Sequence, residues 1–217
     1  MDNIKETFAS RLLDIKAVKL QPDEPFTWAS GWKSPIYCDN RKALSYPALR
    51  TFVKIALSEA VLTRFPSVEA IAGVATGAIA QGALVADELG LPFVYVRGKP
   101  KDHGMGNIIE GEAPRGSKTV VIEDLVSTGG SSLRAVGALR EAGYDVRGMV
   151  ASYTYGFPVA EKAFADACVE LVTLTDYEHV VSQALKTGYI SSDDVATLNE
   201  WRAHPSEWGI EKRDTIG

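Results

Sequence analysis

Short apolar runs alternate with longer amphipathic segments through the middle of this chain. The runs are rich in β-branched residues and cover residues 68–75, 93–96, 119–122, 146–153 and 169–174. Between them, apolar residues recur on one helical face, as for Leu133, Val136 and Leu139 before Gly143. Buried strands that alternate with helices favour a parallel sheet covered on both faces. The pattern therefore predicts an α/β fold with a central, mostly parallel sheet flanked by helices.

The part of the chain before this alternation has a different character. Residues 3–13 predict an amphipathic helix and 17–20 a short strand. The aromatic segment 25–40 then predicts two strands around a turn at Ser30 and Gly31. Next comes a long helix over 45–65, and we expect Ser45 to be its N-cap because Pro47 suits the first turn.

The C-terminal part predicts two further helices, 176–186 and 191–203, the second opened by a capping box of Ser191 and Asp194. We expect Trp201 and Trp208 to pack these two helices against the rest of the protein. The 217 residues suit a single domain. Its expected parts are an N-terminal helix and small hood (residues 1–44), an α/β core (45–175) and a helical extension (176–217).

Composition narrows the class of protein. A net charge of −5 and a pI near 5.3 argue against a general nucleic-acid binder or a protein of anionic membranes. The two cysteines, Cys38 and Cys168, lie far apart without metal-ligand spacing, so we expect buried free thiols in a reducing compartment. No run approaches a membrane span, and the first residues lack an apolar signal core. A soluble cytoplasmic enzyme is the expectation.

The strongest candidate site is the segment KTVVIEDLVSTGGSS, residues 118–132. An apolar strand ends at Glu123 and Asp124, and a loop of small residues then leads into a helix. Such a loop can present several N–H groups to a phosphate at the helix N-terminus, while carboxylates accept hydrogen bonds from sugar hydroxyls. The order of residues fits neither a Walker loop nor a dinucleotide turn. The pattern indicates a sugar-phosphate site, the alternative being Ser and Gly residues that only cap a helix.

Two more loops follow predicted strands of the same sheet. Thr76 and Gly77 follow the first strand, where glycine would allow close approach of a pyrophosphate, although a plain structural turn has the same pattern. A long loop after residue 96 carries Arg97, Lys101 and His103 among glycines. These cations suit a highly anionic ligand, and a solvated basic surface is the alternative. Parallel strands bring their carboxyl ends to one edge, so the three loops should meet there.

These motifs resemble those of a known family. VVIEDLVSTGGSS resembles the 5-phosphoribosyl 1-pyrophosphate (PRPP) signature of the type I phosphoribosyltransferases. FTWASGWKSPIYCDNR is similar to the hood of orotate phosphoribosyltransferases, and RGKPKDHG to their mobile catalytic loop. The resemblance covers nearly the whole chain. It departs from the family at Ala29, where many members carry Lys, and in having no Arg between Arg147 and Arg202 to bind the orotate carboxylate.

The resemblance implies Mg²⁺-dependent transfer of ribose 5-phosphate from PRPP to orotate, giving orotidine 5′-monophosphate and pyrophosphate in pyrimidine synthesis. It implies a catalytic set of Arg97, Lys101, His103 and Asp124. It implies PRPP-binding residues Arg97, Lys101, His103, Glu123, Asp124, Leu125, Val126, Ser127, Thr128, Gly129, Gly130, Ser131, Thr76 and Gly77. For orotate it implies Ser127, Lys33 and Phe26, with backbone amides as a further candidate for the carboxylate.

The same resemblance implies a homodimer whose loop 97–109 is shared across the interface, and Mg²⁺ held mainly by PRPP and water rather than by protein side chains. No nucleic acid or membrane partner is expected. Two alternatives stay open at this point: a phosphoribosyltransferase for another base, and a regulator that senses PRPP or a nucleotide without turnover. A regulator would be expected to show a basic nucleic-acid face or an added DNA-binding module.

Overall fold

A six-stranded sheet forms the centre of the computed structural model, which describes residues 2–28, 30–98 and 108–209. Its strands lie in the order β10-β9-β8-β5-β6-β7. Their bounds are β5 Ala70–Val74, β6 Phe93–Val96, β7 Ile109–Gly111, β8 Lys118–Val126, β9 Asp145–Thr154 and β10 Leu171–Asp176. All neighbours pair in parallel except β7, which is antiparallel to β6. The predicted fold class is confirmed.

Helices cover both faces of this sheet. They are α1 Asp2–Asp14, α2 Pro47–Arg64, α3 Ile79–Leu89, α4 Gly130–Glu141, α5 Pro158–Asp166, α6 Tyr177–Lys186 and α7 Ser192–Ala203. Side chains of β8 alternate between two cores: Val120 and Ile122 join the core with α1, α2, α3, α6 and α7, whereas Val121 joins the core with α4 and α5. Burial on both faces explains why these strands are continuously apolar.

The hood is built from two small antiparallel pairs. Strand β1 (Val18–Leu20) pairs with β4 (Ile36–Cys38), and β2 (Phe26–Thr27) pairs with β3 (Lys33–Ser34). The turn of the second pair uses Gly31, whose φ of 87° favours glycine. A 3₁₀ helix, Asn40–Ser45, connects the hood to α2. Residue 29, where the sequence departs from the family, lies outside the described residues.

The structure corrects three sequence expectations. Strand β8 does not end before the acidic pair but runs through it to Val126, because β9 continues to pair with it up to Thr154. Helix α2 has Tyr46 rather than Ser45 at its N-cap, since Ser45 closes the 3₁₀ helix. The cysteines are free, but Cys168 is exposed and Cys38 only half-buried.

The C-terminal helices pack as expected. Trp201 is fully buried, Trp208 packs against the same core, and Ser191 and Asp194 form the predicted capping box. Asp176, the N-cap of α6, accepts hydrogen bonds from the backbone N–H of His179 and lies 2.6 Å from Nδ1 of its ring. No helix within the described ranges is long and apolar enough to cross a membrane. The three-part division of the chain stays a prediction.

Candidate functional site

The two acidic residues of β8 point in different directions, because successive side chains of a strand alternate. Glu123 is only 4% exposed, whereas Asp124 is half-buried. The hydroxyl of Ser132 donates to Oε2 of Glu123 at 2.8 Å, and the backbone N–H of Asp124 donates to Oε1 at 3.0 Å. Glu123 therefore ties the end of β8 to the first turn of α4, and Asp124 is the more accessible carboxylate.

Both carboxyl groups hold protons more tightly than usual. Burial raises the pKa of Glu123 to about 8, and the negative charge of Asp124 adds to the rise, while the Ser132 hydrogen bond opposes it. Burial also raises the pKa of Asp124, against the Glu123 hydrogen bond and the positive charge of Arg41. At neutral pH the pair therefore carries less than its full negative charge, which reduces its repulsion of a phosphorylated ligand.

The predicted loop with Thr76 and Gly77 meets the acidic end of β8 at Gly77. A Cβ atom built at Gly77 would lie 2.6 Å from Oδ1 of Asp124 and closer still to the other carboxyl atoms. This contact arises because β5 and β8 pair in parallel, with Gly73 beside Ile122, so both strands end at one edge. The peptide bond between Ala75 and Thr76 is cis. Only glycine at 77 leaves space for the carboxylate as it is placed.

The loop between β8 and α4 has the form of an anion site rather than a capped helix end. The N-cap of α4 is Gly129, with φ of 81°, and no side chain accepts a hydrogen bond there. The serine at 132 bonds Glu123 instead. Thr128 and Ser131 are exposed, and the first-turn N–H groups of a helix have no partners within it. The Ser and Thr hydroxyls of this loop therefore do not cap α4, and a role in anion binding stays a prediction.

In the hood, the hairpin of β2 and β3 separates two residues predicted to bind the same base. Phe26 pairs with Ser34 and Thr27 with Lys33, so Phe26 and Lys33 lie on opposite faces. The ring of Phe26 packs 5.6 Å from that of Tyr37. The Lys33 ammonium donates to the Thr27 hydroxyl at 2.7 Å. The structure therefore does not bring Lys33 and Phe26 onto one surface.

Comparison with known proteins decides the family. Residues 53–180 match the phosphoribosyl transferase domain. The chain is 68% identical over 208 residues to an orotate phosphoribosyltransferase of Bacteroides fragilis, covering 96% of this chain and 98% of the relative. A second such enzyme, from Bacteroides thetaiotaomicron, is 66% identical over 212 residues, or 98% of this chain and 100% of the relative.

The chain belongs to the orotate phosphoribosyltransferases.

The solved structure of the orotate phosphoribosyltransferase from Aeropyrum pernix agrees with this family. Its TM-score to the chain is 0.72 at 28% identity, covering 85% of this chain and 99% of that one. The resemblance found in the sequence is thus confirmed, as is the enzyme class: orotate phosphoribosyltransferases are glycosyltransferases. The predicted roles of individual residues are a separate question, for which the geometry is the guide.

The predicted loop 97–109 begins at Arg97, at the carboxyl end of β6. The backbone N–H of Arg97 donates to Ile108 at 2.7 Å, and its guanidinium lies 3.4 Å from Glu110, so the two ends of the loop are paired. Because β6 is parallel to β5, this end lies on the same edge as Gly77. Lys101 and His103 lie outside the described residues, and their roles stay predictions.

Two residues of the predicted hood motif, Asn40 and Arg41, lie at the site without having been predicted there. Asn40 donates from Nδ2 to the backbone carbonyl of Asp124 at 2.7 Å and accepts from the Cys38 thiol at 3.2 Å. Its neighbour Arg41 lies near enough to Asp124 for each charge to affect the other's pKa. Both fall inside the string SPIYCDNR, but a contact 84 positions away leaves no local pattern.

The structure also shows what lies at the end of β9, where the resemblance implies that some family members carry Arg. Arg202 of α7 reaches back to donate to the carbonyls of Tyr155 at 3.2 Å and Gly156 at 3.1 Å, and it pairs with Glu178 at 2.7 Å. Tyr155 packs under Trp28 of the hood, with ring centroids 5.1 Å apart. Arg202 thus holds the backbone of Tyr155, and the ring of Tyr155 in turn packs against the hood.

Proposed function

We propose that this chain transfers the 5-phosphoribosyl group of PRPP to orotate, giving orotidine 5′-monophosphate and pyrophosphate in pyrimidine synthesis. A bond forms between a ring nitrogen of orotate and C1′, and the bond from C1′ to pyrophosphate oxygen breaks, its electrons leaving with the pyrophosphate. The observation that carries the proposal is the contact of Gly77 with the Asp124 carboxylate. That contact puts a loop suited to pyrophosphate directly beside a carboxylate suited to ribose.

The loop from Ser127 to Ser131 would bind the 5′-phosphate, through its N–H groups and hydroxyls and the positive end of α4. Asp124 would accept hydrogen bonds from the ribose hydroxyls. Glu123 reaches the ribose only if it gives up its bond to Ser132, so its main contribution is to hold β8 and α4 together beneath the sugar. This arrangement fixes C1′ between the pyrophosphate loop and the hood.

The reaction builds negative charge on the leaving pyrophosphate, so stabilising that charge is the central task. Thr76 and Gly77 would contact it from the sheet edge, while Arg97, Lys101 and His103 would close over it and exclude water. No strong general base is needed, since orotate can attack as an anion.

Magnesium dependence is part of the proposal. Among the residues that the structure describes, no three Asp, Glu, His or Cys side chains are grouped closely enough to hold a metal. The Asp124 carboxylate supplies a hard oxygen of the kind Mg²⁺ prefers, which fits an ion held mainly by PRPP and water. Bound with PRPP, the ion supplies charge neutralisation on the pyrophosphate.

We further propose that the enzyme works in the cytoplasm as a homodimer in which loop 97–109 acts on the partner's site. Mixing Lys101→Ala with Asp124→Asn subunits tests the arrangement, because a two-fold interface makes every contribution reciprocal. If the loop acts across the interface, each mixed dimer regains an intact site and activity returns. If the loop serves its own subunit, the mixture stays as inactive as its components.

The activity itself is tested by supplying purified protein with PRPP, Mg²⁺ and either orotate, adenine, hypoxanthine or uracil, and by following pyrophosphate release. Turnover with orotate alone, abolished by EDTA, is expected. Turnover with another base instead of orotate would mean that this other base is the substrate. Binding of PRPP without turnover on any base would favour a regulator instead.

A further inference from the structure

Orotate carries a carboxylate on the ring carbon next to the nitrogen that attacks C1′. The group that recognises this carboxylate must therefore lie close to the ribose, and so close to Asp124 if the proposed function holds. A guanidinium is the best-matched partner, because its planar fork binds both carboxylate oxygens. The sequence has no Arg between 147 and 202, so the cation must come from another element.

Three described cations near the hood and the sheet edge are occupied elsewhere. The ammonium of Lys33 bonds Thr27 on the hairpin face opposite Phe26. The guanidinium of Arg202 bonds two backbone carbonyls and a glutamate side chain. Arg97 lies beside Glu110 at the base of the mobile loop, where the leaving group is expected. None of these is placed to meet a carboxylate beside the ribose.

Arg41 is placed differently, because its neighbour in the chain is fastened to the site. Asn40 is almost fully buried and bonds the backbone carbonyl of Asp124 at 2.7 Å. Arg41 donates from Nε to Oδ1 of Asp39 at 2.7 Å. No hydrogen bond to its two terminal nitrogens occurs within the described parts of the chain, and its side chain is 59% exposed. The fork is thus oriented by Asp39 and open to a ligand.

An aromatic surface lies beside this arginine. Tyr37 lies four positions before Arg41 in the chain, is 41% exposed, and packs against Phe26, the residue predicted to contact orotate. A flat pyrimidine ring packs well on such rings. Phe26, Tyr37, Arg41 and Asp124 therefore combine an aromatic face, a cation and a ribose-binding carboxylate.

We infer that Arg41 binds the carboxylate of orotate and selects orotate over bases that lack this group. The inference rests on the proposed function, since it assumes that Asp124 holds the ribose. Asp39 acts as a positioning residue, because it binds Nε and leaves both terminal nitrogens without a hydrogen bond among the described residues. The hood thereby supplies the cation that some family members carry at the end of the strand equivalent to β9.

Steady-state kinetics of Arg41→Ala and Arg41→Lys test this role. Loss of a charge-assisted hydrogen-bonded pair should lower kcat/KM for orotate roughly 10- to 100-fold in Arg41→Ala. The KM for PRPP should change less than about twofold. Arg41→Lys keeps the charge but not the fork, so it should fall between wild type and Arg41→Ala.

Two internal comparisons sharpen the test. Arg50→Ala is the matched control, since Arg50 is also exposed and, among the residues that the structure describes, its side chain bonds only the Leu44 carbonyl beside α2; it should retain wild-type kinetics. The ratio of turnover with orotate to turnover with uracil should fall sharply in Arg41→Ala, because uracil lacks the carboxylate. Thermal melting checks that each variant is folded.

The outcomes separate this inference from the proposed function. If the wild type does not turn over orotate, the proposed function fails and takes this inference with it. If the wild type is active but Arg41→Ala keeps its orotate kinetics, only the role of Arg41 is refuted. A rise in the KM for PRPP with an unchanged KM for orotate would also refute it, and would assign Arg41 to the phosphates.

Discussion

Replacing Gly77 with alanine tests whether the two loops share one site. The backbone at Gly77 has no left-handed conformation, so alanine brings no conformational strain of its own. Its methyl group would lie 2.6 Å from Oδ1 of Asp124, well inside contact distance, and closer to the rest of the carboxyl group. The backbone at Gly77 cannot yield easily, because its short turn joins β5, which pairs on both edges, to α3, which begins at Ile79. We therefore expect the Asp124 carboxylate to move.

The size of the effect follows from this geometry. Restoring an ordinary contact of about 3.5 Å to Oδ1 requires a shift of roughly 0.9 Å, and the nearer carboxyl atoms require more. That displacement is enough to break a hydrogen bond, whose useful range spans only about 0.5 Å. A lost bond to a charged group costs about 1.5–3 kcal/mol. The resulting fall in kcat/KM for PRPP is roughly 10- to 100-fold.

The assay is steady-state turnover with varied PRPP, supported by thermal melting. Gly137→Ala is the matched control, because a Cβ at that position of α4 meets nothing within 4 Å; it should leave turnover unchanged. A double-mutant cycle with Asp124→Ala isolates the contact, since the added methyl should cost little once the carboxylate is absent. Full activity of Gly77→Ala, or equal losses with and without Asp124, would contradict the shared site.

The remaining predictions concern stability. Ser132→Ala removes the donor to buried Glu123 and should lower the free energy of unfolding in urea by about 1–3 kcal/mol, whereas exposed Ser131→Ala should change it by less than about 0.5 kcal/mol. The pKa of Glu123 is raised from 4.5 to about 8, so the folded state keeps a proton that the unfolded chain releases. The stability that this group contributes is full below pH 4.5 and is lost as pH rises towards 8. A pKa that rises from 4.5 to about 8 corresponds to at most about 5 kcal/mol, so in urea titrations the wild type should lose up to that amount relative to Glu123→Gln across this pH range; a flat difference would refute the shift. Gly129→Ala would place an alanine at φ of 81° with its Cβ 2.9 Å from the Phe164 ring. The free energy of unfolding in urea should therefore fall by about 2–4 kcal/mol. An unchanged urea midpoint would show that the loop relaxes freely.

The local pattern of apolar residues predicted most of the secondary structure correctly, but it was misleading at the end of β8. The apolar run 119–122 marked a buried strand, but Glu123 looked like its end because carboxylates are rarely buried. The strand continues since β9 pairs with it and Ser132 satisfies the buried carboxylate. A hydrogen bond across nine positions, from the start of one helix to the end of a strand, has no signature in either segment alone.

The candidate site, like the fold, was predicted from the sequence only in part. Glycines, hydroxyls, acids and cations at the ends of three predicted strands indicated a phosphate, a sugar and a pyrophosphate, and the parallel arrangement implied that the three loops meet. That Asp124 occupies the space beside Gly77 could not be inferred, because side-chain direction depends on strand twist and on the packing of neighbouring strands.

What the sequence determined by itself was the family and the alternation of strands and helices, since both depend on residues close together in the chain. What only the tertiary structure decided was which side chains of that family pattern face one another. Lys33 and Phe26 are near in sequence and lie on opposite faces of a hairpin, while Asn40 and Asp124 are 84 positions apart and in contact. The physical reason is that periodicity sets the face of an element, whereas long-range pairing and close packing determine which faces meet.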